Sequence, residues 1–559
     1  MVKGQVARDN IFLNRKEYMK KLFIVALLAM IACSTMAHDN DSIMGSNGKM
    51  IPMPVYGSIE ANSIMPRKNS YYDVHTRAIG NSNPAYTPHN GSPKILVILA
   101  NFKDKAFSVN YPKKAFNEFF NSENGFTDYG NGNKQNYGSI KQYFEKMSSN
   151  SFSPIFDVHG PINLPDSMKV YGGSNTTSNS DEDIDKLVKD ALAQLSDSIK
   201  DASQYDSDGD GYIDCVCIIS AYLGQNNGGN GNCVWACTGN TSGTFGGKNV
   251  GWFSLSSELY PAYVNATQKI AQINGIGVAC HEFSHALGLP DIYPTASNAI
   301  ADNQEMELWD LMDGGEYANN SYTPTPYTAW EKKQIGWNVN IINLNDNKTI
   351  TMDKTTEEGG PAYKIPNSKN ANEYFLIENI QQTGWNSGAM YHGLQIYHVN
   401  DQNYIYINTH LNNTLGEPGM GIVPADGNSM SSYLKTSEIA YEDQHKGDLF
   451  PGTSNITVLN DTLGLPNFYW YTQDTSSEKA TFNTKYYKVN KAIKNITEKD
   501  GVITFDYIND FTTNINNIYT DDNNKTTRIY TIDGRYVGDS YSSLQRGIYI
   551  INKKKIIIK

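Results

Sequence analysis

His281-Glu282-Phe283-Ser284-His285-Ala286-Leu287-Gly288-Leu289-Pro290-Asp291 is the stretch on which the reading of this chain turns. Two imidazoles at i and i+4 project from one face of a helix, close enough to hold a single metal ion. Glu282 follows the first of them, where its carboxylate reaches a water beside the metal without binding the metal itself. Gly288 can adopt the backbone conformation that ends a helix, and Pro290 discourages its resumption. Asp291 can then return to the metal as a third ligand. With 10 His in 559 residues, a chance pair at this spacing with Glu, Gly and Asp all in place is a poor explanation. The segment points to a catalytic zinc site that keeps an open position for water.

The chemistry open to such a site is amide hydrolysis, with Glu282 taking a proton from water and passing it to the leaving amine. A phenol can help to stabilise the oxyanion, and Tyr317 and Tyr293 are the candidates. If Asp291 is not the third ligand, Glu316 is the carboxylate to test in its place. Substrate preference falls to walls around residues 313–322 and to an edge strand near Trp252–Ser256.

At 559 residues the chain exceeds one ordinary domain. The net charge of −12 argues against nucleic-acid binding. Residues 1–37 read as an export signal whose true start is Met19: Met19-Lys20-Lys21 is a positive lead, Leu22 to Ala32 an apolar run, and Ser34-Thr35-Met36-Ala37 a small-residue cleavage site. A competing reading has lipoprotein processing at Cys33. No other segment is long and apolar enough to cross a bilayer. Cleavage at Ala37 leaves Cys215, Cys217, Cys233, Cys237 and Cys280. This odd number leaves at least one thiol unpaired, and Cys233 and Cys237 suit a disulfide better than half a zinc site.

Residues 38–91, rich in Asn, Ser, Gly and Pro, suit a propeptide or flexible lead-in that keeps the protein silent during export. A catalytic domain is expected over 92–338, opening with a buried strand at Ile95–Ala100. Helices are expected at Ser139–Met147 and Asp181–Leu195, the second capped by Ser180, followed by a buried strand at Val216–Tyr222. The zinc helix is expected from Ile276 to Gly288. Short strands at Thr349–Met352, Tyr374–Ile377, Leu394–Val399 and Val502–Tyr507 suggest a β-sandwich over 339–508. A linker at 509–525 and a small β tail at 526–559 complete the chain. Asp206-Ser207-Asp208-Gly209-Asp210-Gly211-Tyr212-Ile213-Asp214 sets oxygens at alternate positions of an EF-hand-like loop. Asp206, Asp208, Asp210, Tyr212 and Asp214 are therefore candidate calcium ligands in a structural role, although Cys217 stands where the closing acid belongs. The competing reading is a solvated acidic turn.

HEFSHALGLPDIY resembles the signature of the immune inhibitor A-like secreted zinc metallopeptidases, relatives of the metzincin clan. Trp309 to Gly315 (WDLMDGG) resembles that family's Met-turn, and Tyr327 to Trp337 the segment after it. Ile95 to Phe102 and Tyr205 to Asp214 resemble its first strand and acidic loop, while Glu373 to Asn379 and Gly393 to His398 resemble its post-catalytic domain. The resemblance implies an α/β (α+β) metzincin-like catalytic domain with Met312 as an apolar floor under the metal. Many metzincins have His where this chain has Asp291. The tail, with Arg528 to Arg535, Leu544 to Ile551 and Lys553 to Lys559, resembles the C-terminal sorting domain of the type IX secretion system of Bacteroidetes. That implies outer-membrane export and a tail that is removed or exchanged for a surface anchor. The expectation is a secreted zinc endopeptidase with structural calcium, acting on extracellular proteins. Two alternatives remain open: a zinc hydrolase of cell-wall peptides, and a non-catalytic surface-binding protein that uses the β-rich half.

Overall fold

The apolar run after Pro93 forms β1 (Lys94–Asn101), buried along both faces as a strand inside a parallel sheet must be. This is a computed structural model that describes residues 86–123, 135–173, 183–265, 268–294, 305–401, 411–414, 417–429, 443–472 and 486–511, with short strands elsewhere. After β1 come helices α1 (Pro112–Asn121) and α2 (Ile140–Met147), β2 (Ile155–Asn163), α3 (Ile184–Leu195), β3 (Val216–Leu223), β4 (Cys237–Asn240), β5 (Trp252–Asn265) and β6 (Gln268–Ile273). The metal-site helix α4 (Gly277–Ala286) and α5 (Ala329–Gln334) close this part. β1 pairs in parallel with β2 and β3, and β3 with β5. Both β4 and β6 run antiparallel to β5.

Alternate β1 side chains divide two cores. Ile95, Val97 and Leu99 pack with Phe116, Phe144 and Phe283 of α1, α2 and α4. Leu96, Ile98 and Ala100 pack with Leu187, Val188 and Ala191 of α3. The result is a mixed α/β sheet with helices on both faces. α2 starts where expected because Ser139 and Gln142 form a reciprocal capping box. α3 is shorter than expected, with Asp183 accepting from Lys186 N at its start; Ser180 lies outside the described residues.

Over 341–508, five strands line up as β7 (Ile341–Asn343), β9 (Ala362–Asn367), β10 (Asn370–Ile380), β11 (Gly393–Asn400) and β12 (Met420–Ile422). A second sheet contains β8 (Lys348–Met352), β13 (Leu459–Asn460), β14 (Ala492–Lys499) and β15 (Val502–Ile508). Phe375 and Ile377 of β10 face this second sheet through a shared core with Ile350, Ile503 and Phe505. Their neighbours Tyr374 and Leu376 point the other way, into the core that holds Phe283 and Met312. The five-stranded sheet is thus covered on both faces, and one hydrophobic core runs from α4 into the β-rich half.

Two differences from expectation concern sheet edges. Trp252–Ser256 is not an edge, since β3 and β4 flank it on both sides. The lead-in also contributes strands: Ser42–Met44 pairs with β6, Met50–Pro52 with Ser42–Met44, and Tyr71–Tyr72 with β4 at Thr238–Gly239. The tail forms a four-stranded antiparallel sheet from Ile529–Thr531, Tyr536–Gly538, Gly547–Ile551 and Lys554–Ile558. The expected export signal and most of the linker lie outside the described residues. Among the described residues no helix is long and apolar enough to cross a membrane. Cys215, Cys217 and Cys280 are buried thiols, and Cys233 and Cys237 are buried as well.

Candidate metal centre

Every residue of α4 is buried, so the helix carries no amphipathic stripe and its position is set by close packing on all sides. Gly277 lets its first turn press on a neighbouring loop, because a Cβ there would stand 1.9 Å from the Glu316 carbonyl oxygen. Gly288, at φ 97°, ends the helix in the left-handed region and sends the chain back toward it. That reversal delivers Asp291.

His281 Nε2 lies 3.3 Å from Asp291 Oδ1, and His285 Nε2 lies 3.2 Å from the same oxygen. Ligand atoms about 2.0–2.1 Å from a tetrahedral zinc are about 3.3 Å apart, so these spacings fit a zinc ligand face. The other ring nitrogens strengthen the fit. His281 Nδ1 is 2.9 Å from the Leu311 carbonyl and His285 Nδ1 is 2.7 Å from the Leu289 carbonyl. A carbonyl only accepts, so each Nδ1 carries a proton and each Nε2 is the ring nitrogen turned toward Asp291. Two lone pairs and a carboxylate oxygen at such spacing repel unless a cation or protons lie between them.

The electrostatics agree. Burial disfavours a charged His281, yet the carboxylates of Glu316, Asp291 and Glu282 overcome that and push its pKa up to about 10. Burial also works against an ionised Asp291, but the two imidazoles hold its carboxyl far below the usual range. Glu282 is pushed well above the ordinary range by burial, reinforced by Glu316 and Asp291 and opposed by His281 and a hydrogen bond from Thr238. Three buried carboxylates around two imidazoles make a pocket short of positive charge, which suits a divalent cation.

Met312 is fully buried, and the backbone on either side of it clasps the ligands. Leu311 supplies the carbonyl for His281, while the Met312 carbonyl accepts from Ile292 N, one residue past Asp291, at 2.8 Å. Asp310 Oδ1 accepts from Met312 N at 2.7 Å and shapes the turn. Tyr293 stacks on His281 with centroids 6.5 Å apart. Tyr317 is half-buried on the Gly314–Tyr317 turn that also carries Glu316. Glu316 Oε2 is 3.9 Å from His281 Nδ1. It backs the ring from the side away from Asp291 and is not part of the ligand face. Thr238, which no local motif marks, donates its hydroxyl to Glu282 from β4.

The acidic loop is brought together only in part. Carboxylate oxygens of Asp206, Asp208 and Asp210 lie within 4.8 Å of one another. Asp214 instead accepts the Ser207 hydroxyl at 2.6 Å and stands outside that cluster. Burial pushes its pKa up to about 7. Tyr212 donates its N–H to Asp210 Oδ1 at 2.7 Å. Lys248 Nζ approaches Asp206 Oδ2 at 2.6 Å, so a protein cation already sits against this loop. Asp206 Oδ1 is buried and has no hydrogen-bond partner.

Residues 85–339 match the model of the immune inhibitor A peptidase M6 catalytic domain. Pre-pro-metalloprotease PrtV of Vibrio cholerae serotype O1 is 25% identical over 324 residues, covering 48% of this chain and 33% of that protein. Immune inhibitor A of Bacillus thuringiensis subsp. alesti is 28% identical over 314 residues, covering 47% of this chain and 43% of that protein. The chain thus spans less than half the length of these curated relatives. The matched region contains the ligand face, Glu282 and Met312, and the likeness supports a metallopeptidase.

Proposed function

We propose that this chain is a secreted zinc metalloendopeptidase that hydrolyses peptide bonds of extracellular proteins. The observation that carries the reading is the convergence of His281, His285 and Asp291, with both Nδ1 atoms already committed to carbonyls. His281, His285 and Asp291 would hold the zinc, and Met312 would floor it. A zinc ion in such a site polarises a carbonyl and acidifies a water. Glu282 would take a proton from the attacking water as general base and pass it to the departing amine. Tyr293 and Tyr317 are the candidate phenols for supporting the oxyanion. No covalent acyl-enzyme is required.

Around this centre we read 92–338 as a metzincin-like catalytic domain and 339–508 as a β-sandwich. Residues 1–37 are read as a signal peptide, 38–91 as a propeptide and 526–559 as a type IX sorting domain that engages the export machinery. Asp206, Asp208 and Asp210 are the core of a structural calcium site, to which Tyr212 and Asp214 contribute less than the loop pattern suggested. The test is casein hydrolysis with and without a zinc chelator. Glu282→Ala should abolish cleavage with zinc still bound. Undiminished cleavage by that variant would reject the mechanism, and purified protein that neither contains nor takes up zinc would reject the reading as a whole. Cleavage of peptidoglycan stem peptides but not casein would favour the cell-wall alternative.

A further inference from the structure

We infer that Thr238 is a positioning residue for Glu282, which rests on the reading of Glu282 as general base. Thr238 is fully buried on β4, a strand held in register by pairing of Thr238 with Ser254 and Leu255 with Cys237. Its hydroxyl lies 2.5 Å from the Glu282 carbonyl oxygen and 3.0 Å from Glu282 Oε2. The single hydroxyl proton is shared between the backbone carbonyl, at the shorter distance, and the carboxylate of the same residue. A β-branched side chain in a strand has few rotamers, so the hydroxyl is fixed relative to the sheet. A glutamate has three side-chain torsions, and anchoring Oε2 restricts all of them. The other oxygen is left to meet the water proton. A base that must reach one proton in one geometry gains rate from such restriction, because misplacement by about 1 Å lowers rates about a hundredfold.

The anchor comes from the sheet, not from α4 or from the ligand loops, and this makes it separable. Thr238 touches no zinc ligand in the structure's hydrogen-bond network. Removing its hydroxyl should disturb the reaction while leaving the metal in place. Thr238→Val keeps the branched shape and removes the hydroxyl, whereas Thr238→Ser keeps the hydroxyl and loses a methyl.

The experiment measures kcat, KM and zinc content for both variants beside Glu282→Ala. It also measures binding of a peptide hydroxamate by calorimetry, which needs an oriented Glu282 but no turnover. Thr238→Val should lower kcat about ten- to a hundredfold, with KM changed less than about twofold and one zinc retained per chain. Hydroxamate affinity should fall with it, and Thr238→Ser should restore most of both. Thr238→Val with unchanged kcat and hydroxamate affinity, beside an inactive Glu282→Ala, overturns the inference and leaves the general base standing. Equal losses in the Val and Ser variants, or lost zinc, also overturn it, because packing then accounts for the effect. Activity in Glu282→Ala would instead remove the underlying reading. If Thr238→Val does not fold, Thr238→Ala is judged by the same criteria.

Discussion

Glu378 on β10 is where the β-rich half should be felt most strongly by the catalytic region. Its side chain is buried, and Oε1 accepts from Ala329 N at 2.8 Å and from the Tyr397 hydroxyl at 2.7 Å. Oε2 accepts from the Thr356 hydroxyl at 2.7 Å. Ala329 N belongs to the first turn of α5, where no intrahelical acceptor exists. Glu378→Ala leaves that N–H and the Tyr397 hydroxyl without acceptors and without water, since both residues are fully buried. Thr356 is partly exposed and can turn to solvent. Two stranded donors amount to about 4 kcal/mol, before any loss from the vacated volume. Because a single core spans both regions, they should melt together. At ~2.1 cal/mol/K per residue, a unit of about 400 residues gains roughly 0.84 kcal/mol/K on unfolding. The melting temperature should then fall by about 5 °C. Tyr397→Phe, which strands no donor, should lower it by about 1–2 °C. Differential scanning calorimetry at fixed zinc measures both. An unshifted Glu378→Ala transition, or separate melting of the two halves in the parent protein, would refute the argument.

Asp291→Ala should reduce bound zinc well below one per chain and abolish cleavage, whereas Glu316→Gln should keep its zinc, since Glu316 stands beside Nδ1 of His281. Elemental analysis of dialysed protein distinguishes them, and the opposite pattern would make Glu316 the third ligand. For the acidic loop, a calcium chelator should lower the melting temperature of the parent protein but not of Asp208→Ala. Equal curves with and without chelator would mean that Lys248 satisfies Asp206 unaided.

Features encoded within a few residues were readable from the chain. The α4 ligand pair, its glycine stop and the returning Asp291 form one contiguous unit, and the folded site preserves it. β1 was legible because an apolar run with no alternation has no solvent-facing side. α2 was legible from its stripe of Ile140, Tyr143, Phe144 and Met147, and the structure adds the Ser139 cap. α1 gives a weaker signal: Ala115, Phe116, Phe119 and Phe120 make a short stripe between Lys113-Lys114 and asparagines. What sequence could not supply was pairing order. That β4 lies outside β5 is decided by which strands find each other, and Thr238 gains its role only through that neighbour. The acidic loop was legible only in part for a related reason. Its spacing predicts five ligands, and the carboxylates of Asp206, Asp208 and Asp210 gather, but Asp214 finds Ser207 within the loop and Asp206 also meets Lys248 from outside it.

The centre draws its order from three separate parts of the chain, each holding one group. Leu289, just past the end of α4, orients His285 through its carbonyl; the Met312 turn orients His281 through Leu311. The sheet holds Glu282 through Thr238. On the proposed reading, metal affinity and proton transfer are therefore supported by different contacts. A change in the turn would act first on the metal, through the tautomer of His281, and a change in β4 would act first on the rate, through the orientation of Glu282. The lead-in meets the second of these supports, because Tyr71–Tyr72 pairs with β4 at Thr238 and Gly239. Any influence the lead-in exerts through that strand would reach the base before it reached the metal.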